Sequence, residues 1–408
     1  MSSSTRYLGT LAISTLSILC VVALFNWLVD PYGIVRVISV EGFNRIKSQA
    51  GQRAEMYKRN GAERTRPHAL ILGNSRAEIG FDPKSPAWPA STRPVFNLAL
   101  PGGGINAALD ELSQVLTYTQ PKLIVVGLDF LDFRIDPAAP ADSPPADVDR
   151  LRSWRERLSA LLSIDALADS IATIKAQRDP YPSSLDVDGF NPMRDYVGIA
   201  RREGYSSMFR QRDHENAKSY VLGPKTIYRA DHLPTSEFRA VERMIEIAHG
   251  AGAQLRFVLY PVHAHTLVLF RQAGLWPAFE AWKRELALRV DGAPPGTDVE
   301  LWDFSGFSPF AVEDVPPPGD TKREMRWYWE AGHFKSSLGD VVLASLLGSP
   351  AVQPRLGRRL SARDLEEHLQ SQRLELAEYE RTHAREVADL AALVEAARLT
   401  PRLVGNRK

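Results

Sequence analysis

The chain is short of cysteine: Cys20 is the one thiol in 408 residues. An intramolecular disulfide framework is therefore excluded, which fits either the cytoplasm or a bacterial periplasm. A surplus of one charge is missing too, since 50 Lys and Arg stand against 49 Asp and Glu for a net +1. A surface made for a polyanion needs a basic excess, so nucleic acid is not an expected partner. His263 and His265 form a His-x-His pair, but no carboxylate or cysteine cluster accompanies it in sequence. No metal is expected there, and no stretch of the chain calls for a cofactor. Export signals are equally thin. The N-terminal apolar run has no small-x-small cleavage site in a suitable place, and Ser17, Ile18 and Leu19 before Cys20 do not make a lipobox.

That apolar run is long. From Tyr7 to Val29 the chain is apolar apart from small Ser, Thr and Gly residues and Asn26, enough to span a bilayer. The expectation is a tail over 1–6 on the cytoplasmic side, an uncleaved single-pass anchor over 7–29 and a connector over 30–66 with a helix from Asn44 to Tyr57. Arg36, Arg45 and Lys47 oppose a simple positive-inside count. Long downstream domains are exported largely regardless of charge, so the following domain is expected in the periplasm of a bacterial inner-membrane protein.

Five apolar runs at 68–73, 95–100, 123–130, 254–260 and 299–304 alternate with helical periodicity. Their rhythm predicts a three-layer α/β domain over 67–348 with a mainly parallel five-stranded sheet. It is interrupted by an insertion over 136–235 that begins with Pro137, Pro140, Pro144 and Pro145 and continues with an amphipathic helix from Leu151 to Gln177. An insertion beyond a strand's carboxyl end makes either a lid or platform for a site, or helical padding.

The first run, Ala69 to Leu72, stops on Gly73 and presents Ser75. A serine at a strand's carboxyl end stands where open α/β sheets place their ligands. The second run ends in Pro101 followed by Gly102, Gly103 and Gly104, just ahead of a helix. Unpaired N–H groups at such a turn favour an oxyanion, though the same glycines also suit a plain tight turn. Late in the chain Glu330 and His333 stand three apart before an apolar helix. A serine nucleophile needs a histidine base and a carboxylate to orient it, and this short segment supplies both. Asp303 closes the fifth strand and is the reserve acid. His263 is read as a substrate-contacting or structural histidine.

The blocks Gly73-Asn74-Ser75-Arg76 and Glu330-x-x-His333 resemble the SGNH (GDSL-like) hydrolase superfamily, whose serine follows the first strand and whose Asp-x-x-His precedes the last helix. The resemblance covers about 68–347 without the insertion. It implies that Ser75 attacks an ester carbonyl, that His333 takes and returns the proton, and that Glu330 orients His333. The N–H groups of Ser75 and of Gly102 or Gly103 would hold the oxyanion. In the superfamily's third block, G-x-N-D, alignment on Gly127 puts Asp129 where an asparagine is usual. An ionised carboxylate repels an oxyanion, so Asp129 is protonated, turned away, or engaged in orienting neighbours such as Arg76.

Membrane-tethered members that acetylate alginate and other exported polysaccharides share this layout of one anchor followed by the domain. The resemblance therefore implies O-acetyl transfer to an extracytoplasmic polysaccharide, with an acyl-ester substrate and a membrane-bound acyl-donor protein as partner. Two rivals are a carbohydrate esterase or deacetylase with the same triad, and a non-catalytic factor of polysaccharide assembly or export. The extension over 349–408 carries Leu365, Leu369, Leu376, Tyr379, Leu390 and Leu393 at helical spacing amid dense charge, with a helix start at Ser361 and Asp364 in capping-box position. Such a helix either pairs with a second copy of the chain or folds back on the body.

Overall fold

The computed structural model describes residues 3–138, 163–350 and 356–399. Its centre is a six-stranded sheet in the order β2-β1-β3-β4-β5-β8, where β1 is Ala69–Leu72, β2 Val95–Asn97, β3 Leu123–Leu128, β4 Gln254–Leu259, β5 Val299–Asp303 and β8 Arg358–Leu360. The five expected strands are all present and mutually parallel. The sixth corrects the expected count. Arg358–Leu360 pairs antiparallel with β5, Leu301 opposite Leu360, and is too short and too basic to read as a strand in sequence.

Every residue of β1 and β3 is buried, as befits strands covered on both faces. The chain leaves β1 for β2 on one side and then returns past β1 to β3 on the other. That reversal is the point where open sheets leave a crevice beyond the strand ends. Helices α3 (Ser75–Gly80) and α11 (Ser336–Leu346) pack against each other, while α4 (Ile105–Val115), α8 (Glu237–Ala251) and α10 (Trp276–Asp291) form a second group. The contact between α3 and α11 runs through two glycines. A Cβ on Gly339 would lie 1.7 Å from the Gly80 carbonyl oxygen, and one on Gly80 would lie 2.0 Å from the Phe334 ring. That closeness draws the serine helix against the strand that carries His333.

Between β4 and β5 the chain forms two helices in succession, α9 (Ala264–Gln272) and α10. Gly274, at φ +76, breaks the run, and Pro277 suits the first turn of the new helix.

Clustering of the backbone divides the chain into two compact units. The first contains the residues up to Gly61, the described part of 143–187 and Asn191–Val197. Its helix α1, Ser3–Val29, is long and apolar enough to cross a membrane, and Leu8, Ile13, Leu16 and Val21 along it are more than half exposed. Polar contacts hold its carboxyl end: Ser170 Oγ donates to Asn26 at 2.9 Å, and Lys47 Nζ donates to the Val29 carbonyl at 2.8 Å. The connector's helix is α2, Ala54–Thr65, later than expected. Asn44 explains the shift, because its side chain accepts from Val40 N–H and donates to Leu28 O, both at 2.8 Å. Those bonds favour a non-helical backbone.

The insertion is divided between the units. Helix α5, Ile164–Ala176, belongs to the first, and α7, Tyr205–Leu222, to the second, with α6, Arg194–Glu203, running across the boundary. The rest of the amphipathic stretch, with Pro140, Pro144 and Pro145, lies outside the described residues.

The C-terminal extension folds back on the body of the second unit. It forms α12, Leu365–Thr382, and α13, Ala384–Leu399, so the helix starts at Leu365 instead of Ser361. Asp364 makes no side-chain cap bond and instead accepts from Ser361 Oγ at 3.1 Å. Leu365, Leu369, Leu376, Tyr379 and Leu390 join the main core, and α13 packs on α7 and α9. The apolar stripe that a second copy would need is thus used within the chain.

Candidate active site

Local structure at Ser75 begins with Gly73. Its φ of +135 turns the chain sharply off β1, and a Cβ there would meet the Tyr260 hydroxyl at 2.4 Å. Asn74 then caps α3: its Oδ1 accepts from Arg76 N–H at 3.0 Å. The same side chain donates from Nδ2 to Asp129 at 2.9 Å, and its backbone N–H donates to the Tyr260 hydroxyl at 3.3 Å. Asn74 is thereby fixed to the ends of β3 and β4. Ser75, next along, is half-buried.

The base and the acid come from one hairpin. Strands β6 (Tyr328–Glu330) and β7 (His333–Phe334) are antiparallel, with Glu330 and His333 opposite each other across the Ala331-Gly332 turn. Opposed residues on such a ladder have side chains within reach. His333 Nε2 lies 2.8 Å from Ser75 Oγ, and His333 Nδ1 bonds Glu330 Oε1. The second carboxylate oxygen accepts from Gly332 N–H at 2.7 Å. Glu330 is buried, which opposes its charge, but His333, Arg212 and the Gly332 N–H outweigh that and hold its carboxyl down at about 2. The acid is ionised and enclosed, and the base and the nucleophile are both partly buried.

Arg76 ties the three elements together. Its Nε donates to the Gly332 carbonyl at 2.7 Å, and its Nη1 pairs with Asp129. Asp129 is thus occupied: one oxygen takes Arg76 and Asn74, and the other accepts from Leu131 N–H at 3.1 Å. Of the open alternatives for this residue, the orienting one is observed.

The glycine turn narrows the oxyanion candidates. Gly103 N–H donates to the Leu100 carbonyl at 2.9 Å, which removes it from the expected set. Gly102, at φ +70 with open space where a Cβ would stand, remains beside the Ser75 N–H.

Asp303 does not serve as the acid of this site. It is buried and bonded to Lys283 (2.7 Å), His368 (2.8 Å) and Ser305 (2.6 Å). His263 is also enclosed, at 1 % exposure, and touches no open surface. Its Nε2 donates to the Glu313 carbonyl at 2.9 Å, and its ring meets Phe209 and Tyr328 edge-on. Burial, with the neighbouring His265 charge, pushes it down to about 3 and keeps it neutral. It is a supporting residue.

Two functional neighbours carry no motif. Tyr260 directly follows β4 and meets Asn74, and Arg212 on α7 places Nε 3.1 Å from Glu330 Oε2. The strand rhythm marks the first, as the residue that closes an apolar run. Nothing in the sequence around Arg212 marks the second.

No family model, no curated protein and no solved structure matches the chain.

Proposed function

We propose that the protein is a serine-dependent acyltransferase of an inner membrane, carrying an acetyl or similar short acyl group through Ser75 to an extracytoplasmic polysaccharide. The observation that carries the reading is the continuous chain from Ser75 Oγ through His333 to Glu330, set at the reversal point of the sheet. The strand order, with the serine after β1 and the acid–base pair before α11, supports an SGNH-like layout. The apolar helix α1 supports a membrane anchor. Domain export and the acyl-donor partner belong to the same reading through the resemblance.

In the first half-reaction His333 Nε2 takes the Ser75 proton as Oγ bonds to the ester carbonyl carbon. The oxyanion is met by the Ser75 and Gly102 N–H groups, the C–O bond to the leaving group breaks, and His333 returns the proton to that oxygen. In the second half a sugar hydroxyl repeats the attack on acyl-Ser75, giving the new ester and free serine. Glu330 keeps Nδ1 protonated and offsets the imidazolium charge in both halves.

Incubation of the full chain with an acetyl ester, followed by intact mass, tests the reading. An acetyl adduct on Ser75 that a polysaccharide hydroxyl discharges faster than water does is the expected result. Discharge by water alone favours the carbohydrate esterase. Absence of any adduct with normal polymer acetylation in a Ser75→Ala strain favours the assembly factor. A reporter active only in the periplasm, fused after Lys408, should be active, and activity of a cytoplasm-only reporter there overturns the topology.

A further inference from the structure

Glu330 is one methylene longer than the aspartate usual in its role, and so has one more bond about which to turn. A carboxylate that orients a histidine through one oxygen must be fixed through the other. Here Oε2 accepts from Gly332 N–H at 2.7 Å, and Arg212 stands beside it as an ion pair, Nε 3.1 Å away, while its Nη1 donates to Glu215 at 2.9 Å. Arg212 stands on α7, and the next residue, Asp213, faces a neighbouring direction on that helix. Asp213 Oδ2 lies 2.7 Å from His265 Nδ1 at the start of α9, and His265 Nε2 lies 3.2 Å from Glu386 Oε1 on α13. Glu386 is bonded in turn by the Tyr379 hydroxyl of α12. Asp213, His265 and Tyr379 are buried. This bridge clamps α7 from the face beside the one that meets Glu330.

We propose that Arg212 is a positioning residue for Glu330, and that the Asp213–His265–Glu386 bridge sets its place, which makes the C-terminal helix Ala384–Leu399 part of the active-site support. The proposal rests on the reading of Ser75, His333 and Glu330 as the catalytic unit. Among the described residues the charged and titratable groups about Glu330 and Arg212 are His333 on its own hairpin, Arg212, Asp213, Glu215 and Tyr220 on α7, Arg76 on α3, and His263 and His265 at the β4–α9 junction. Arg212 has two separable effects. Its ion pair through Nε fixes Glu330 Oε2, and its positive charge opposes a positive charge on His333.

The test is the full chain with a chromogenic acetyl ester, kcat and KM measured against pH for wild type, Arg212→Gln, Arg212→Lys and Glu386→Gln. Arg212→Gln is expected to lower kcat by about tenfold to a hundredfold, the cost of a small misplacement, with KM little changed. Its acid limb in kcat/KM should move to higher pH, because one cation no longer opposes the imidazolium. Arg212→Lys should restore the limb and part of kcat. Glu386→Gln should lower kcat less than Arg212→Gln, again without a change in KM. Wild-type kcat and limb in Arg212→Gln overturn the proposal, as does a loss that tracks the thermal midpoint and leaves the limb in place. Turnover surviving in Ser75→Ala would instead sink the underlying catalytic reading, whatever Arg212 does.

Discussion

Two clusters in the second unit each hold a serine, a histidine and a carboxylate. In one, the histidine is in the middle: Ser75 Oγ meets His333, which meets Glu330. In the other, the carboxylate is in the middle. Asp303 receives Ser305 Oγ at 2.6 Å on one oxygen, and His368 at 2.8 Å and Lys283 at 2.7 Å on the other. Both acids are enclosed and ionised; for Asp303 burial opposes the charge, but Lys283 and His368 hold the carboxyl well below the usual range. What differs is the order. A proton leaving Ser305 finds a carboxylate already occupied by a lysine, whereas one leaving Ser75 finds an imidazole nitrogen. The Asp303 cluster also sits under Gln372 of α12, which donates to the Ser305 carbonyl at 2.5 Å, and so joins β5 to the C-terminal helices. The same residue types are joined through a histidine in the proposed reaction centre and through a carboxylate in the Asp303 cluster.

The largest effect should come from breaking the first cluster. Ser75→Ala and His333→Ala are each expected to lower acyl transfer by roughly a thousandfold or more, and the double variant should be hardly worse than either, because the groups act as one unit. Unchanged circular dichroism and melting would show that the fold is intact. Next, Glu330→Gln should cost about a hundredfold, since an amide still orients the imidazole but stabilises its charge poorly. Asp303→Asn is its counterpart. It should leave the folded protein active but reduce its stability by about 3–5 kcal/mol in urea titrations, because Lys283 is left buried without its counterion. An inactive Asp303→Asn beside a near-normal Glu330→Gln would exchange the two assignments.

A third effect concerns pH. Burial opposes charge on His265, but Asp213 and Glu386 outweigh it and hold the imidazole up at about 9, above the ordinary 6.5 of an unfolded histidine. A group whose folded value is raised contributes its full stability below the unfolded value and loses it as pH rises through the folded one. Urea midpoints should therefore fall between about pH 6.5 and 9, by on the order of 1–3 kcal/mol. A flat profile in that window would mean that His265 is not charged between its carboxylates. The smallest expected effect is at Asp129. Asp129→Asn weakens its grip on Arg76 and should lower turnover a few-fold; a rise in turnover would mean that the carboxylate faces the oxyanion instead.

Much of the frame was legible from apolar runs alone, because strands buried on both faces leave uninterrupted Val, Ile and Leu. Ser75, His333 and Glu330 were legible from where they stand relative to strand ends and the last helix. Asp303 and Glu330 were both open as the acid in sequence, one at the end of a strand and the other three residues before His333, and the sequence does not say which one the folded chain turns toward His333. The edge strand Arg358–Leu360 has no apolar run to announce it. Arg212 was invisible for another reason: it reaches Glu330 across more than a hundred residues of chain, from a helix without a marked apolar face, and such contacts leave no local pattern.

The measurement that bears most directly on the two clusters is labelling of the folded chain with a fluorophosphonate, which bonds to an activated serine, followed by peptide mass. The account predicts one adduct, on Ser75, lost in His333→Ala and kept in Asp303→Asn. An unlabelled Ser75, or an adduct on Ser305, would contradict it.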